Sequence, residues 1–266
     1  MVKRESIIGF AKGAGADLVG IAPAERFAEA PKGHKPQDLL PGARSVVAMA
    51  KRIPLSIVKT IPSPSYTKFG YHDLNAHLRE LTYNVALFIE DQGFEALPLD
   101  PSIEDKAREV EILQEEPEPK IKILGDFSHR HAAVAAGLGE IAMSCMAVVP
   151  KFGPRVRIVS VITTAPLEPT AQGEGKSRFN LCRPEACGWQ CVKKCPAKAL
   201  PGDGTIDHFK CRNSRNPGFY TLEYFKEIAA SGKSGGPSRS TGRKATPPAG
   251  QTCGICIKVC PIGITL

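Results

Sequence analysis

The sequence predicts an α+β protein in two parts: a layered helix-and-strand domain over residues 1–175, then a cysteine-bearing module over residues 176–266. Three observations carry this. Helical and strand periodicities alternate as far as about residue 168. The composition changes at PTAQGEGKSR, residues 169–178, which reads as a linker. Eight of the nine cysteines lie beyond that linker.

Residues 4–14 read as a helix that leads into a strand, DLVGIA at 17–22. Pro41-Gly42 marks a turn, and ARSVVAMA at 43–50 is largely apolar, as a strand covered on both faces should be. From Tyr71 to Gln92 the residues Leu74, Leu78, Leu81, Val85, Ala86, Phe88 and Ile89 recur at intervals of three and four, which predicts an amphipathic helix. Gly93 stops it, and FEALPL at 94–99 reads as a strand. Residues 103–120 are charged and end on EEPEPK, which predicts a loop or an exposed helix end. His129–Leu138 reads as a helix, and RVRIVSVITTA at 155–165 alternates as a strand. A second soft segment spans residues 231–251, rich in Gly, Ser, Pro and basic residues.

The chain has 266 residues, 42% apolar and 23% charged, enough to bury a core without staples. MVKRESIIGF lacks the apolar run of a signal peptide. The most apolar stretch, residues 132–149, carries Gly137, Gly139 and Glu140 at its middle, so it reads as a helix running into a strand rather than a membrane span. The expected location is cytoplasmic. The formal charge of +8 invites a nucleic-acid reading. Eight thiolates and two cubane cores would bring it to about +4, a mildly basic surface.

Residues 182–196 read CRPEACGWQCVKKCP. The module as a whole holds Cys182, Cys187, Cys191, Cys195, Cys211, Cys253, Cys256 and Cys260, and both groups end in Cys-Pro. In two-cluster bacterial ferredoxins three close cysteines wrap one iron–sulfur cubane, and the fourth, before proline, ligates the neighbouring one. By that logic Cys182, Cys187, Cys191 and Cys260 hold one [4Fe-4S] cluster, and Cys195, Cys211, Cys253 and Cys256 the other. The spacings are wider than the bacterial ferredoxin run. Zinc prefers paired C-x2-C knuckles, and only Cys253 and Cys256 form such a pair. Disulfides fit poorly with an odd thiol count in a cytoplasmic chain. Cys145 is left over and reads as a buried thiol.

DLVGIAPAERF, LLPGARSVVAMA, the Tyr71-His72 pair, AAVAAGLGE, FGPRVRIVSVITTAPLEP and the two Cys-Pro motifs occur in one order along nearly the whole chain. That order resembles the epoxyqueuosine reductase family, whose catalytic core is shared with reductive dehalogenases. The resemblance implies a nitroreductase-like α/β domain that carries a cobalamin, followed by a ferredoxin-like module whose two [4Fe-4S] clusters deliver electrons to the cobalt. This sequence departs from the family in three places. It ends at Leu266, where the family continues into helical repeats; Glu140–Ser144 stands where the family reads W-I-G-K-N; and the family's Asp-Ser-Ala-Pro turn is replaced by GDFSHRHAA, with Asp126 as its nearest carboxylate.

The same resemblance implies an iron–sulfur reductase that takes electrons from a ferredoxin or flavodoxin and reduces an electrophilic substrate, a small molecule or one borne on tRNA. The alternative is a non-catalytic electron-transfer protein that reduces or activates a corrinoid protein. Candidate proton donors are Asp126, His129 and Tyr71, with His131 and His72 beside them. Asp126 could equally cap the helix after it. Gly137 and Gly139 would let a cofactor approach the backbone, or form a tight turn. Arg155 and Arg157 alternate on one strand face, where they could take a cofactor phosphate or line the surface.

Overall fold

A computed structural model describes residues 3–102, 109–113, 120–170, 180–213 and 253–264. The linker after Thr170 and the soft segment 231–251 lie outside the described residues, as does most of EEPEPK. The mixed helix-and-strand architecture is as the sequence predicts.

The chain opens with α1 (Arg4–Gly13), β1 (Leu18–Pro23), α2 (Pro36–Leu39), β2 (Ser45–Arg52) and α3 (Leu55–Lys59). A π-helical segment, Tyr66–Asp73, runs straight into the long helix α4 (Leu74–Glu90). Next come β3 (Ala96–Pro98), β4 (Glu109–Leu113), β5 (Lys120–Leu124), α5 (His129–Ala135), β6 (Glu140–Ile141), β7 (Ala147–Val148) and β8 (Val156–Thr163).

The main sheet has strand order β1-β2-β8-β3, with every pair antiparallel. Val46 to Ala50 of β2 are fully buried because both faces are covered. On one face Val47, Met49, Val159 and Val161 meet Leu78, Leu81, Val85 and Ile89 of α4 together with Ile7 and Ala11 of α1. That apolar stripe is the period the sequence showed. On the other face Val46, Ala48 and Ile162 meet Ala132, Ala135 and Ala136. Small side chains let α5 lie close on the sheet.

Two expectations are corrected here. The helix expected from Tyr71 begins as α-helix only at Leu74; Tyr71 sits in the π-helical segment that precedes it. The charged stretch 103–120 contributes more than a loop: β4 pairs with β5 over Glu109–Leu113 and Lys120–Leu124. EVEIL and KIKIL alternate with period two, a signal masked by the charges and prolines around them.

Gly137 and Gly139 serve the backbone. Gly137 has φ 72 and closes α5: its N–H reaches Val134 O at 2.9 Å, and Leu138 N–H reaches Ala133 O at 2.8 Å. Gly139 lies so close to the Val148 carbonyl that a methyl would overlap it. We expect Gly139→Ala to destabilise the fold by about 3 kcal/mol, the upper end for overpacking against rigid backbone, read as a lower urea midpoint.

The cysteine-bearing residues 180–213 and 253–264 carry short helices, α6 (Pro184–Cys187), α7 (Gln190–Lys193), α8 (His208–Asn213) and α9 (Ile255–Lys258). Specific bonds fasten them to the preceding part of the chain. Glu140 Oε1 accepts from Leu181 N–H at 2.9 Å and Cys182 N–H at 2.7 Å. Lys258 Nζ donates to Ile61 O at 2.6 Å. Arg155, buried, donates to Gly263 O at 2.6 Å and Ile53 O at 3.2 Å. Gly153 packs directly on Ile262, and Gly263 on Phe152. No helix among the described residues is long and apolar enough to cross a membrane.

Candidate functional site

All nine cysteines are reduced thiols of intermediate burial. Pro184 starts α6, Gly188 and Trp189 both take the left-handed conformation, and the chain turns into α7. This brings Cys182, Cys187 and Cys191 together. Gly254, also left-handed, starts α9 between Cys253 and Cys256.

The thiols fall into two neighbourhoods. Burial pushes the Cys260 thiol up to about 11, and Cys182, Cys191 and Cys187 add to it. Burial likewise raises Cys182 and Cys191, helped by Cys187 in both cases. Cys256, packed beside Ile53, Val58, Tyr66 and Ile257, is pushed up to about 12 by burial, with Cys211, Cys253 and Cys195 as its nearest like charges. Cys191 of the other group is the next, so the two groups adjoin. Cys260 thus meets the 182–191 loop, and Cys195 meets the group of Cys211, Cys253 and Cys256.

The donor set also bears on which metal it fits. Four thiolates on one zinc must close to within about 4 Å of one another. Among the described residues no three His, Cys, Asp or Glu side chains converge on a single-ion position. Soft thiolate donors in two neighbouring sets fit a multi-iron cluster, which takes one thiolate per iron. Backbone N–H groups are also supplied: Met143 to the Cys182 sulfur, Ile262 to Cys260, and Ala199 to Cys195 at 3.4 Å.

A cavity of about 890 Å³ is lined by residues between 26 and 158 together with His208 and Arg212 of α8. Its place is set by the sheet. β3 pairs only with Val161–Thr163, and among the described residues no strand flanks the start of β8 on that side. Val156, Arg157 and Ile158 form wall there. The π-helical segment adds Tyr71, α5 adds His129, Arg130 and His131, and α8 adds His208 and Arg212.

At one end Tyr71 OH meets Ser102 Oγ at 2.8 Å, and the Arg157 guanidinium lies 4.2 Å from the Tyr71 ring centroid. Such a cation–π contact is worth about 1–2 kcal/mol when partly desolvated. The Arg157 Nε is buried with no hydrogen-bond acceptor. His129 lies between Ser160 Oγ at 3.0 Å and Asp100 O at 2.8 Å. A carbonyl only accepts, so Nε2 carries the proton and Nδ1 accepts from the Ser160 hydroxyl. Burial, the largest cause, and then Arg157 hold His129 down at about 4, against partial relief from the Asp100 carbonyl. It is a neutral imidazole near pH 7.

His129 therefore makes stability depend on pH. The unfolded chain takes the His129 proton near the ordinary 6.5, the folded protein only near 4. This stability is complete above about 6.5 and is lost as pH falls toward 4, on the order of 3 kcal/mol. His129→Gln is expected to flatten that part of the acid limb in urea unfolding measured across this window.

Three expected site residues, Tyr71, His129 and Arg157, are thus brought together in one wall. Asp126 is not: its side chain is exposed between Gly125 and Phe127, which do line the cavity, and its carbonyl accepts from His34 Nδ1 at 3.3 Å. It does not cap α5 either, where Ser128 takes the N-cap position. Arg155 does not share the face of Arg157, because it precedes β8 and turns toward Gly263. Gly137 and Gly139 are outside the lining. Cys145 takes φ 57, and Arg130 Nη1 donates to its carbonyl and to its sulfur, the latter at 2.7 Å. Sequence reasoning missed Ser102, Arg130, His208 and Arg212. The available signal was the basic flanking of the isolated Cys211, in HFKCRN.

No protein-family model matches the chain. It is 25% identical over 255 residues to an epoxyqueuosine reductase of Bacillus cereus, covering 85% of this chain and 60% of that protein. It is 27% identical over 273 residues to a tetrachloroethene reductive dehalogenase of Desulfitobacterium hafniense, covering 92% of this chain and 45% of that one. Among solved structures, the epoxyqueuosine reductase from Streptococcus thermophilus superposes with a TM-score of 0.60 at 18% identity, over 100% of this chain and 67% of the other. A reductive dehalogenase whose structure suggests a mechanism for B12-dependent dehalogenation gives a TM-score of 0.57 at 18% identity, over 79% of this chain and 28% of the other. The chain therefore spans about three-fifths or less of the curated relatives it matches.

Proposed function

The chain is related to the epoxyqueuosine reductases and the reductive dehalogenases, and we propose that it is a reductase built from a nitroreductase-like domain, residues 1–175, and a ferredoxin-like module, residues 176–266. Cys182, Cys187, Cys191 and Cys260 hold one [4Fe-4S] cluster; Cys195, Cys211, Cys253 and Cys256 hold the other. The observation that carries this reading is the grouping of the eight thiols into two adjoining sets of four next to a cavity that α8, the helix of Cys211, helps to wall. When bound, two clusters pass single electrons and a corrinoid supplies the low-valent cobalt chemistry that reduces an electrophilic substrate.

The chain's own residues have three tasks. The thiols and their N–H donors fix the clusters and set their potentials. The apolar wall of Phe127, Val134, Ala135, Met146 and Ile158 excludes water from the reacting end. Tyr71 holds a transferable proton at its phenolic oxygen, and Ser102 is in reach to replace it. What favours Tyr71 over His129 is that both ring nitrogens of His129 are engaged. What favours it over Asp126 is that Asp126 is exposed and off the wall. The electrons come from a ferredoxin or flavodoxin, and the substrate is a small molecule or a base borne on tRNA.

The test is anaerobic reconstitution with iron, sulfide and cobalamin. We expect about eight irons per chain and one corrinoid that stays bound through gel filtration. Iron without any retained corrinoid would favour an electron-transfer protein that serves a separate corrinoid protein. A colourless chain, or one loaded with zinc, would defeat both readings.

A further inference from the structure

Residues 53–72, 186–202 and 253–264 hold six lysines and no carboxylate, in a chain with 27 Asp and Glu residues. Lys59, Lys68, Lys193, Lys194, Lys198 and Lys258 are all exposed. No ion pair among the described residues involves any of them. The carboxylates next to these segments are Asp73, Glu185 and Asp203, and Asp203 accepts from the Thr205 N–H and hydroxyl.

The fold gathers the three segments into one region. α9 packs against both α3 and α7, and α3 packs against the π-helical segment. The Tyr66 ring lies on Gly254, and Lys258 Nζ donates to the Ile61 carbonyl. Ile53, Val58, Tyr66 and Ile257 pack beneath, together with Cys256. Phe69, 52% exposed, stands on the π-helical segment, with Lys68 Nζ 5.6 Å from its ring centroid. An exposed aromatic among cations that lack counter-charges is the make-up of a transient protein interface: the ring anchors and the charges steer.

Lysine supplies every cation in these segments. An ammonium is a hydrated point charge that attracts without fixing a geometry, which suits a partner that must leave after each electron. Planar recognition of phosphates would favour guanidinium forks instead. None of the six lysines, nor Phe69, lines the cavity, so a protein held by them leaves the cavity wall to the substrate.

We propose that this lysine face docks a small acidic one-electron carrier protein beside the thiols of Cys195, Cys253 and Cys256. The reduced carrier loses one electron and a cluster gains it; no bond forms or breaks. That step rests on the two-cluster reading; the docking charge does not.

The test uses the full chain, purified anaerobically with its clusters, and an acidic flavodoxin as the probe. Cluster reduction by the reduced flavodoxin is followed by stopped flow for the wild type, Lys193→Glu/Lys194→Glu/Lys198→Glu and Lys59→Glu/Lys68→Glu. Both variants are expected to be reduced about tenfold more slowly at low ionic strength, and the wild type to slow toward them in about 0.5 M salt. Reduction by the methyl viologen radical, a small cation, should not slow. Iron content is checked alongside; should the triple variant lose iron through its neighbour Cys195, the double variant decides. Binding of oxidised flavodoxin is measured in parallel by calorimetry. Binding that both variants weaken in a chain that takes up no iron keeps the surface and defeats the cluster reading. Flavodoxin rates that are absent or equal in all three iron-loaded proteins, or variants slowed as much with methyl viologen, would overturn the surface. So would unchanged flavodoxin rates with weakened binding of bulk tRNA, which would assign the lysines to RNA.

Discussion

A Cys256→Ser variant prepared anaerobically is expected to carry about half the iron and sulfide of the wild type and to show no turnover. Among the described residues Cys256 has the thiol most disfavoured as an anion, pushed up to about 12 by its burial. In the proposed cluster, iron would compensate for its ionisation. A serine there loses the soft ligand and leaves a hydroxyl among Ile53, Val58, Tyr66 and Ile257. The group of Cys182, Cys187, Cys191 and Cys260 keeps all its thiols, so its four irons should persist. Cys145→Ser is the control and should retain full iron, since Cys145 belongs to neither group. Equal iron in Cys256→Ser and the wild type would contradict the assignment of ligands. Cluster loading must also release protons, because thiols with raised values are protonated at neutral pH; acidification should therefore weaken iron retention.

The second large effect is expected at Tyr71. Tyr71→Phe should lower the rate of substrate reduction by about 10²–10⁴-fold while leaving iron and corrinoid content unchanged. The substitution keeps the ring under Arg157 and removes only the hydroxyl that meets Ser102. A purely packing role for the ring would leave the rate nearly intact. Asp126→Asn is the matched control and should change the rate less than about tenfold, because its side chain is exposed away from the wall. If Asp126→Asn is the inactive variant and Tyr71→Phe the active one, the proton comes from the loop before α5. The readout is single-turnover reduction by a chemical one-electron donor, which bypasses the partner protein.

Much of this architecture is legible in the residues. VVAMA reads as a doubly covered strand because every side chain in it is apolar, and the packing on both faces agrees. The Leu74–Ile89 stripe reads as a helix because its period is set by one buried face. The two Cys-Pro endings suggest from the sequence that Cys260 belongs with the 182–191 loop, and in the fold Cys182, Cys187 and Cys191 are the thiols that act on it. What the residues hide are relations set by geometry. EVEIL and KIKIL are strands only in each other's company. Arg155 and Arg157 share a face only if the strand begins before Arg155, and it begins at Val156. The glycines of AGLG suggest a ligand but relieve backbone contacts instead. Arg130 and Arg212 meet across one cavity although eighty-two positions separate them, so no local pattern could join them.

The seating of Gly153 on Ile262 and the grip of Arg155 on Gly263 have a bearing on how the protein is made. Both contacts, and the Cys260 thiol, involve residues that leave the ribosome long after the first domain's strands have been translated. On the proposed ligand set, a nascent chain therefore offers Cys182, Cys187 and Cys191 without their fourth thiol. Iron delivered at that stage would meet an incomplete cage, exposed to oxygen and to stray thiols. Chains stalled between Cys256 and Cys260 should accordingly lack the fourth thiol of the Cys182 group, keep Cys195, Cys211, Cys253 and Cys256, and emerge with about half the iron.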